Sequence, residues 1–168
     1  MRKLTFGLIL LLSGCVSTNI TSNKAPGYTG KIERLYIMVR GSDSAKPFFN
    51  SFNNSLSESL KSRGIETSYY YFDPLSLENE DDVMNKINEF GPNLVMMIQQ
   101  TESRSTMNQY GWGSTNTGGT FDIKLLEPDS KSPVWRANLK ADAQFGLTES
   151  ARRSSEKLIE KLILDKLL

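Results

Sequence analysis

Histidine is absent from all 168 residues, and cysteine occurs once. The first absence removes the Ser-His-Asp and Cys-His catalytic arrangements, together with every histidine-ligated metal site. The second leaves no internal disulfide to hold the fold. Neither sign of charge dominates, with 20 Lys+Arg against 19 Asp+Glu, so there is no electrostatic case for a nucleic-acid partner. Long hydrophobic runs are missing too. The apolar run at the amino terminus, Leu4 to Leu12, falls far short of the ~20 residues that a bilayer-spanning helix needs. Glycine-rich phosphate fingerprints are lacking, and the acidic run Glu78 to Asp82 has no calcium-loop spacing, so it reads as a solvated helix start. No cofactor and no metal are expected.

What is present begins at that short apolar run. Arg2 and Lys3 precede it, and Ser13 and Gly14 follow it, which is the layout of a secretory leader with a small-residue cleavage site. The next residue is Cys15, the lone cysteine. An unpaired thiol is a liability outside the cytoplasm unless something consumes it. Leu12-Ser13-Gly14-Cys15 resembles the lipobox of bacterial lipoproteins. The resemblance implies cleavage before Cys15, a diacylglyceryl thioether on its sulfur and acylation of the new amine. One buried acyl chain attaches only marginally, with K on the order of 10⁴ M⁻¹, so two or three are needed for a lasting anchor. Loss of Arg2 and Lys3 with residues 1–14 leaves 18 basic against 19 acidic residues. Position 16 is Val rather than the Asp that retains such proteins in the inner membrane of enteric-type bacteria. The resemblance therefore points to the outer membrane, with the domain facing the periplasm.

Residues 15–30 are polar, contain Pro26, Gly27 and Gly30, and show no apolar period. They read as a flexible tether spanning about 20 Å. Residues 31–168 are expected to form one domain of ordinary size. Leu35 to Val39 is apolar on both faces, which suits a strand covered on both sides. Phe48, Phe52, Leu56 and Leu60 recur every fourth residue and predict a helix with one apolar stripe, ended by Gly64. Ile65 to Phe72 reads as a second strand. Acids at Glu78 to Asp82 open a second helix with Val83, Ile87 and Phe90 on its buried face, and Leu94 to Ile98 is a third strand. The order β-α-β-α-β implies parallel strands joined by right-handed crossovers.

The second half changes period. Phe121, Ile123 and Leu125 alternate with Asp122 and Lys124, and after a Pro128–Pro133 turn the even/odd alternation runs from Trp135 to Phe145. That pattern predicts an antiparallel hairpin with one wet face. A last helix is expected from Thr148 as N-cap, burying Ala151, Leu158 and Leu162. The fold class is α/β: a mixed sheet with a parallel half, an antiparallel β-hairpin and a C-terminal helix. The "KSRG" helix end, "GPNLVMMI" and "GGTFDIKLLEPDSKSPVWRANLKADAQF" resemble small periplasmic lipoprotein domains related to the TolB amino-terminal domain, the curli-secretion lipoprotein and penicillin-binding-protein activator lipoproteins. The resemblance implies an assembly or interaction module of the envelope. No catalytic residue carries over from it.

Two candidate sites follow. Asn108 to Gly119 sets Tyr110 and Trp112 among small flexible residues, the composition of adaptable recognition loops that would bind an envelope protein or glycan. The other reading of that stretch is a long hairpin loop whose Trp112 folds back onto the sheet. The second candidate is the crevice at the ends of the parallel strands, the common ligand position in open α/β sheets. Arg40, Ser42, Asp43 and Asp73 fall there. The reading of Ser42, Asp43 and Ser44 as turn and N-cap residues is favoured over a ligand site. The functional expectation is a non-enzymatic, membrane-anchored interaction module, with a small-ligand or enzymatic crevice as the alternative.

Overall fold

A computed structural model describes residues 18–107, 114–130, 132–143 and 146–168. One six-stranded mixed sheet organises them. Its strands are β1 (Asn19–Lys24), β2 (Arg34–Arg40), β3 (Glu66–Tyr71), β4 (Leu94–Met107), β5 (Ser114–Leu126) and β6 (Trp135–Asp142), in the order β1-β6-β5-β4-β2-β3. β2 pairs in parallel with both β3 and β4, whereas the β4–β5, β5–β6 and β6–β1 pairs are antiparallel. The expected α/β mixed sheet, with its parallel half, antiparallel hairpin and closing helix, is what forms.

Topology determines which face each helix covers. From β2 the chain moves outward to β3 through α1 (Lys46–Lys61), then returns past β2 to β4 through α2 (Glu80–Phe90). Right-handed crossovers travelling in opposite directions land on opposite faces of a sheet. The closing helix α3 (Leu147–Leu164) joins α1. The main core therefore lies on the α1/α3 face, where Leu35, Ile37, Leu94, Met96, Phe121, Ile123, Leu125, Trp135 and Leu139 meet Phe49, Phe52, Leu56, Leu158 and Leu162. A small second core on the other face joins Tyr36 and Val95 to Ile87 of α2, with Val83 and Phe90 half-buried around it. β5 and β6 are added by hairpins that bring no helix, so their outer face stays polar. This is why Trp135, Ala137, Leu139 and Ala141 are buried while Arg136 and Lys140 between them are exposed.

Helix ends follow the local chemistry. Asn79 caps α2 by accepting from the Asp82 amide at 3.0 Å, and Asp82 returns the bond to the Asn79 amide at 2.9 Å. Gly91 closes the helix at φ +63°. The start of α3 differs from expectation: its N-cap is Gly146, at φ +101° and without a side-chain bond, and Thr148 lies inside the first turn. Glu149 fills the role of first-turn acid, paired with Arg152 at 2.8 Å and Arg153 at 2.6 Å. These hydrogen bonds hold its carboxyl down at about 2.

Two further corrections concern length. The segment expected to be a loose tether is structured from Asn19 onward, because β1 finds the unpaired edge of β6, with Asn19 opposite Lys140 and Lys24 opposite Trp135. A polar strand on an edge needs no apolar period: its backbone pairs with β6, Ile20 packs against the core, and Ser22 and Lys24 reach Asp165. Ala25 N–H then donates to Val134 O at 2.9 Å and Ile32 N–H to Leu167 O at 2.8 Å, tying residues 25–32 down as well. Second, β4 does not stop at Ile98 but continues as a long arm with β5 to the pair Met107–Ser114, through register shifts at Gln100/Glu102 and Arg104/Ser105. Gly118 makes the second shift possible: its φ is +148°, and a Cβ there would lie 2.3 Å from the Ala141 carbonyl oxygen. Gly118→Ala is expected to cost ~1–3 kcal/mol in urea unfolding, as backbone strain at such positions does. An unchanged midpoint would show that the β5–β6 approach at this point contributes nothing.

Candidate functional site

The strand-end crevice is built by the last residue of β2, the turn after it and the middle of β4. After Arg40 the chain turns at Gly41, which sits so close to its neighbours that a Cβ would be 2.7 Å from the Phe49 ring and 3.1 Å from the Tyr71 hydroxyl. Ser42 is then held from three directions. Its N–H and its hydroxyl both donate to Gln100 Oε1, at 2.9 and 3.0 Å, and its carbonyl accepts from the Tyr71 hydroxyl at 2.9 Å. Asp43 pairs with Lys46 at 3.0 Å, and that hydrogen bond raises the Lys46 amine above its ordinary value. Asp73 accepts from the Leu75 amide at 2.9 Å and so closes its own turn. The structure thus gathers Arg40, Ser42, Asp43 and Asp73 at one corner but engages each of them locally. What remains between Arg40, Ser42 and Gln99–Ser103 is an open, polar depression of about 380 Å³. Among the described residues, no group of three or more acidic or cysteine side chains is placed to hold a metal ion.

A second concavity lies on the outer face, where the cover of α2 ends and the bare half of the sheet begins. Met38, Phe72 and Met97 give it an apolar floor, Arg40, Gln99, Asp122 and Lys124 stand around it, and its volume is about 170 Å³. Arg40 lies over Phe72, with its guanidinium carbon 4.4 Å from the ring centroid. Asp122 accepts two bonds from Arg136, at 2.8 and 3.1 Å, and is 3.5 Å from Lys124. The bonds to Asp122 raise the Arg136 guanidinium above its ordinary value. Met97 is 44% exposed although it belongs to a run that is apolar on both faces. Sequence reasoning missed this groove, since an apolar residue at an outward position of a parallel strand reads as covered. Only the extent of α2 decides that it is not.

All of these features share one end of the sheet with the amino-terminal strand. Asn19 opens β1 opposite Lys140, Lys140 pairs with Thr120, and Thr120 pairs with Glu102, just past the end of β2. The β4–β5 arm leaves from the same end. Thr120 donates its hydroxyl proton to Glu102 at 2.8 Å, and the Thr101 hydroxyl donates to the Thr120 carbonyl at 3.1 Å, which holds the base of the arm across the shift in register. Tyr110 and Trp112, the recognition-loop candidates, lie outside the described residues, as does Cys15.

The architecture is one seen in bacterial proteins. It superposes on the PelC dodecamer from Paraburkholderia phytofirmans with a TM-score of 0.55 at 11% identity, over 85% of this chain and 95% of that one. A single-site variant of the same dodecamer gives 0.55 at 12% identity, over 83% and 94%. Lipoprotein GNA1162 from Neisseria meningitidis aligns over 78% of this chain and 98% of its own, at 11% identity and a TM-score of 0.44. No protein-family model and no curated protein sequence matches the chain. At such identities the likeness is one of fold. Among the described residues, no helix is long and apolar enough to cross a membrane.

Proposed function

We propose that the protein is an outer-membrane lipoprotein, anchored through Cys15, whose periplasmic domain works as a non-enzymatic assembly or interaction module of the envelope. The observation that carries this reading is the spacing between the lipobox and the fold. Three residues lie between Cys15 and Asn19, the first residue of the sheet, and the four residue steps, at ~3.3–3.6 Å each, span at most about 14 Å. An acylated Cys15 thus holds the domain against the bilayer by the end of the sheet at which β2 and β6 finish and from which the β4–β5 arm leaves. The fold shared with PelC supports the assembly role, since that protein is a dodecamer. The locally engaged strand-end residues favour interaction over catalysis, and Tyr110 and Trp112, on the connection between β4 and β5, supply aromatic contact area for an envelope protein or glycan.

Intact-mass analysis and fractionation of the natural host test the anchor. The wild-type chain should lack residues 1–14, carry an acyl adduct on Cys15 and sediment with outer membranes, while Cys15→Ala should be released or remain unprocessed. A wild-type chain with an intact amino terminus and a free thiol would overturn the reading. Replacing both Tyr110 and Trp112 by Ala should weaken capture of crosslinked envelope partners with the melting temperature unchanged.

A further inference from the structure

The segment between β3 and α2 displays two leucines with nothing over them. Leu75 is 88% and Leu77 is 101% exposed. They are not on a slack loop. Leu75 N–H donates to Asp73 Oδ1 at 2.9 Å, Ser76 N–H to Asp73 O at 3.0 Å, and Glu78 N–H to Ser76 Oγ at 3.1 Å. Glu78 in turn accepts from the Tyr70 hydroxyl at 3.0 Å and pairs with Lys86, and the Asn79–Asp82 capping box follows at once. Both leucines are therefore presented in a preformed shape, and docking them needs no further ordering of the chain.

A complementary surface exists on the same molecule. The groove floored by Met38, Phe72 and Met97 has about 170 Å³, and a cavity of ~150 Å³ already takes a benzene-sized guest, so a leucine side chain fits. Charge matches as well as shape. Residues 73–82 carry Asp73, Glu78, Glu80, Asp81 and Asp82 and no base. Around the groove stand Arg40 and Lys124, with Arg136 beyond them, against the single acid Asp122, which already serves Arg136 and Lys124. Opposite potentials on an apolar knob and an apolar groove favour that pairing and its register.

We propose that copies of this chain associate head to tail, with the Leu75–Leu77 segment of one copy seated in the Met38–Phe72–Met97 groove of the next. The segment and the groove adjoin at Phe72–Asp73 without sharing a residue, and in the head-to-tail arrangement each copy gives its segment to one neighbour and receives a segment from another. Such a heterologous contact builds a ring when its rotation closes and a filament when it does not. The proposal rests on the assembly role above and names the surfaces that would carry it.

Disulfide trapping tests it on the full chain in detergent. The double variant Leu77→Cys/Met97→Cys, oxidised with copper phenanthroline, should give a ladder of dimers, trimers and higher species that collapses on reduction. Each single variant should stop at dimers. Adding Leu75→Glu should cut the ladder by about tenfold with the thermal melt unchanged. The same ladder is expected in a Cys15→Ala background, because both surfaces belong to the folded domain; failure of the lipid anchor would thus leave this result standing. A double variant that stays monomeric, stops at dimers, or ladders equally well with Leu75→Glu would overturn the proposal. In the monomeric case the leucines face another partner or the bilayer.

Discussion

Trp135→Ala should lower the unfolding free energy by ~3–5 kcal/mol, the range for removing a large aromatic from a packed core. Among the described residues Trp135 is the largest fully buried side chain, with 1% of its surface exposed, on the first residue of β6. Its backbone is paired on both sides, with Lys24 of β1 and Leu125 of β5, so the strand cannot shift to refill the space. Its indole N–H donates to Asp165 Oδ2 at 2.7 Å, and the truncation removes that bond as well. Lys140, five residues along the same strand and exposed, provides the control: Lys140→Ala should stay within about 0.5 kcal/mol. Urea melts of the two variants decide the matter, since equal losses would mean that β6 does not bury one face.

Asp165→Ala should cost ~1–3 kcal/mol, because one carboxylate answers donors from three elements. Ser22 of β1, Trp135 of β6 at 2.7 Å and Lys161 of α3 at 3.0 Å all give it protons, while the Lys24 amine donates to its backbone carbonyl at 2.6 Å. Burial alone would raise its pKa, but the bonds from Ser22, Trp135 and Lys161, with the Lys161 charge, outweigh burial and bring it below the ordinary value. A depressed carboxyl binds its proton less readily folded than unfolded. Its contribution is therefore present above the unfolded value of ~3.9 and is lost as pH falls through the folded one. Wild type should lose stability more steeply than Asp165→Ala across that acid window, and parallel curves would contradict the assignment. Because Trp135 and Asp165 share a bond, the double variant should lose less than the sum of the single ones.

Several elements could be read directly from residue patterns. The four-residue recurrence of Phe48, Phe52, Leu56 and Leu60 is α1, and all four are buried. The alternation from Trp135 to Asp142 is β6, with the expected residues inside. The β1 strand could not be read in this way. Asn19–Lys24 has no apolar pattern, since apart from Ile20 it contributes hydrogen bonds to an edge rather than surface to a core, and only the presence of β6 beside it makes it a strand. The arm beyond Ile98 was hidden for a similar reason: Glu102, Ser103 and Arg104 are exposed and carry no apolar alternation, and only pairing with β5 continues the strand through them.

The candidate sites divide in the same manner. Arg40, Ser42, Asp43 and Asp73 could be located at the strand ends because a β-α-β order requires those ends to converge. That Ser42 answers to Gln100 and Tyr71 depends on neighbours from distant parts of the chain, whereas Asp43 and Asp73 are engaged within their own turns, by Lys46 and the Leu75 amide. The groove at Met38 and Met97 and the display of Leu75 and Leu77 had no local signal at all.

By itself, the sequence determined the helix stripes, the strand alternation, the parallel half and the absence of histidine chemistry, because periodicity and residue type act over a few neighbouring positions. The tertiary structure alone decided the pairing of β1 with β6, the carboxylate hub at Asp165 and the boundary at which α2 stops covering the sheet. Each of these is a meeting of segments far apart in the chain, and it is the handedness of the two crossovers, not any local pattern, that sends α2 to one face and leaves the other half of that face bare.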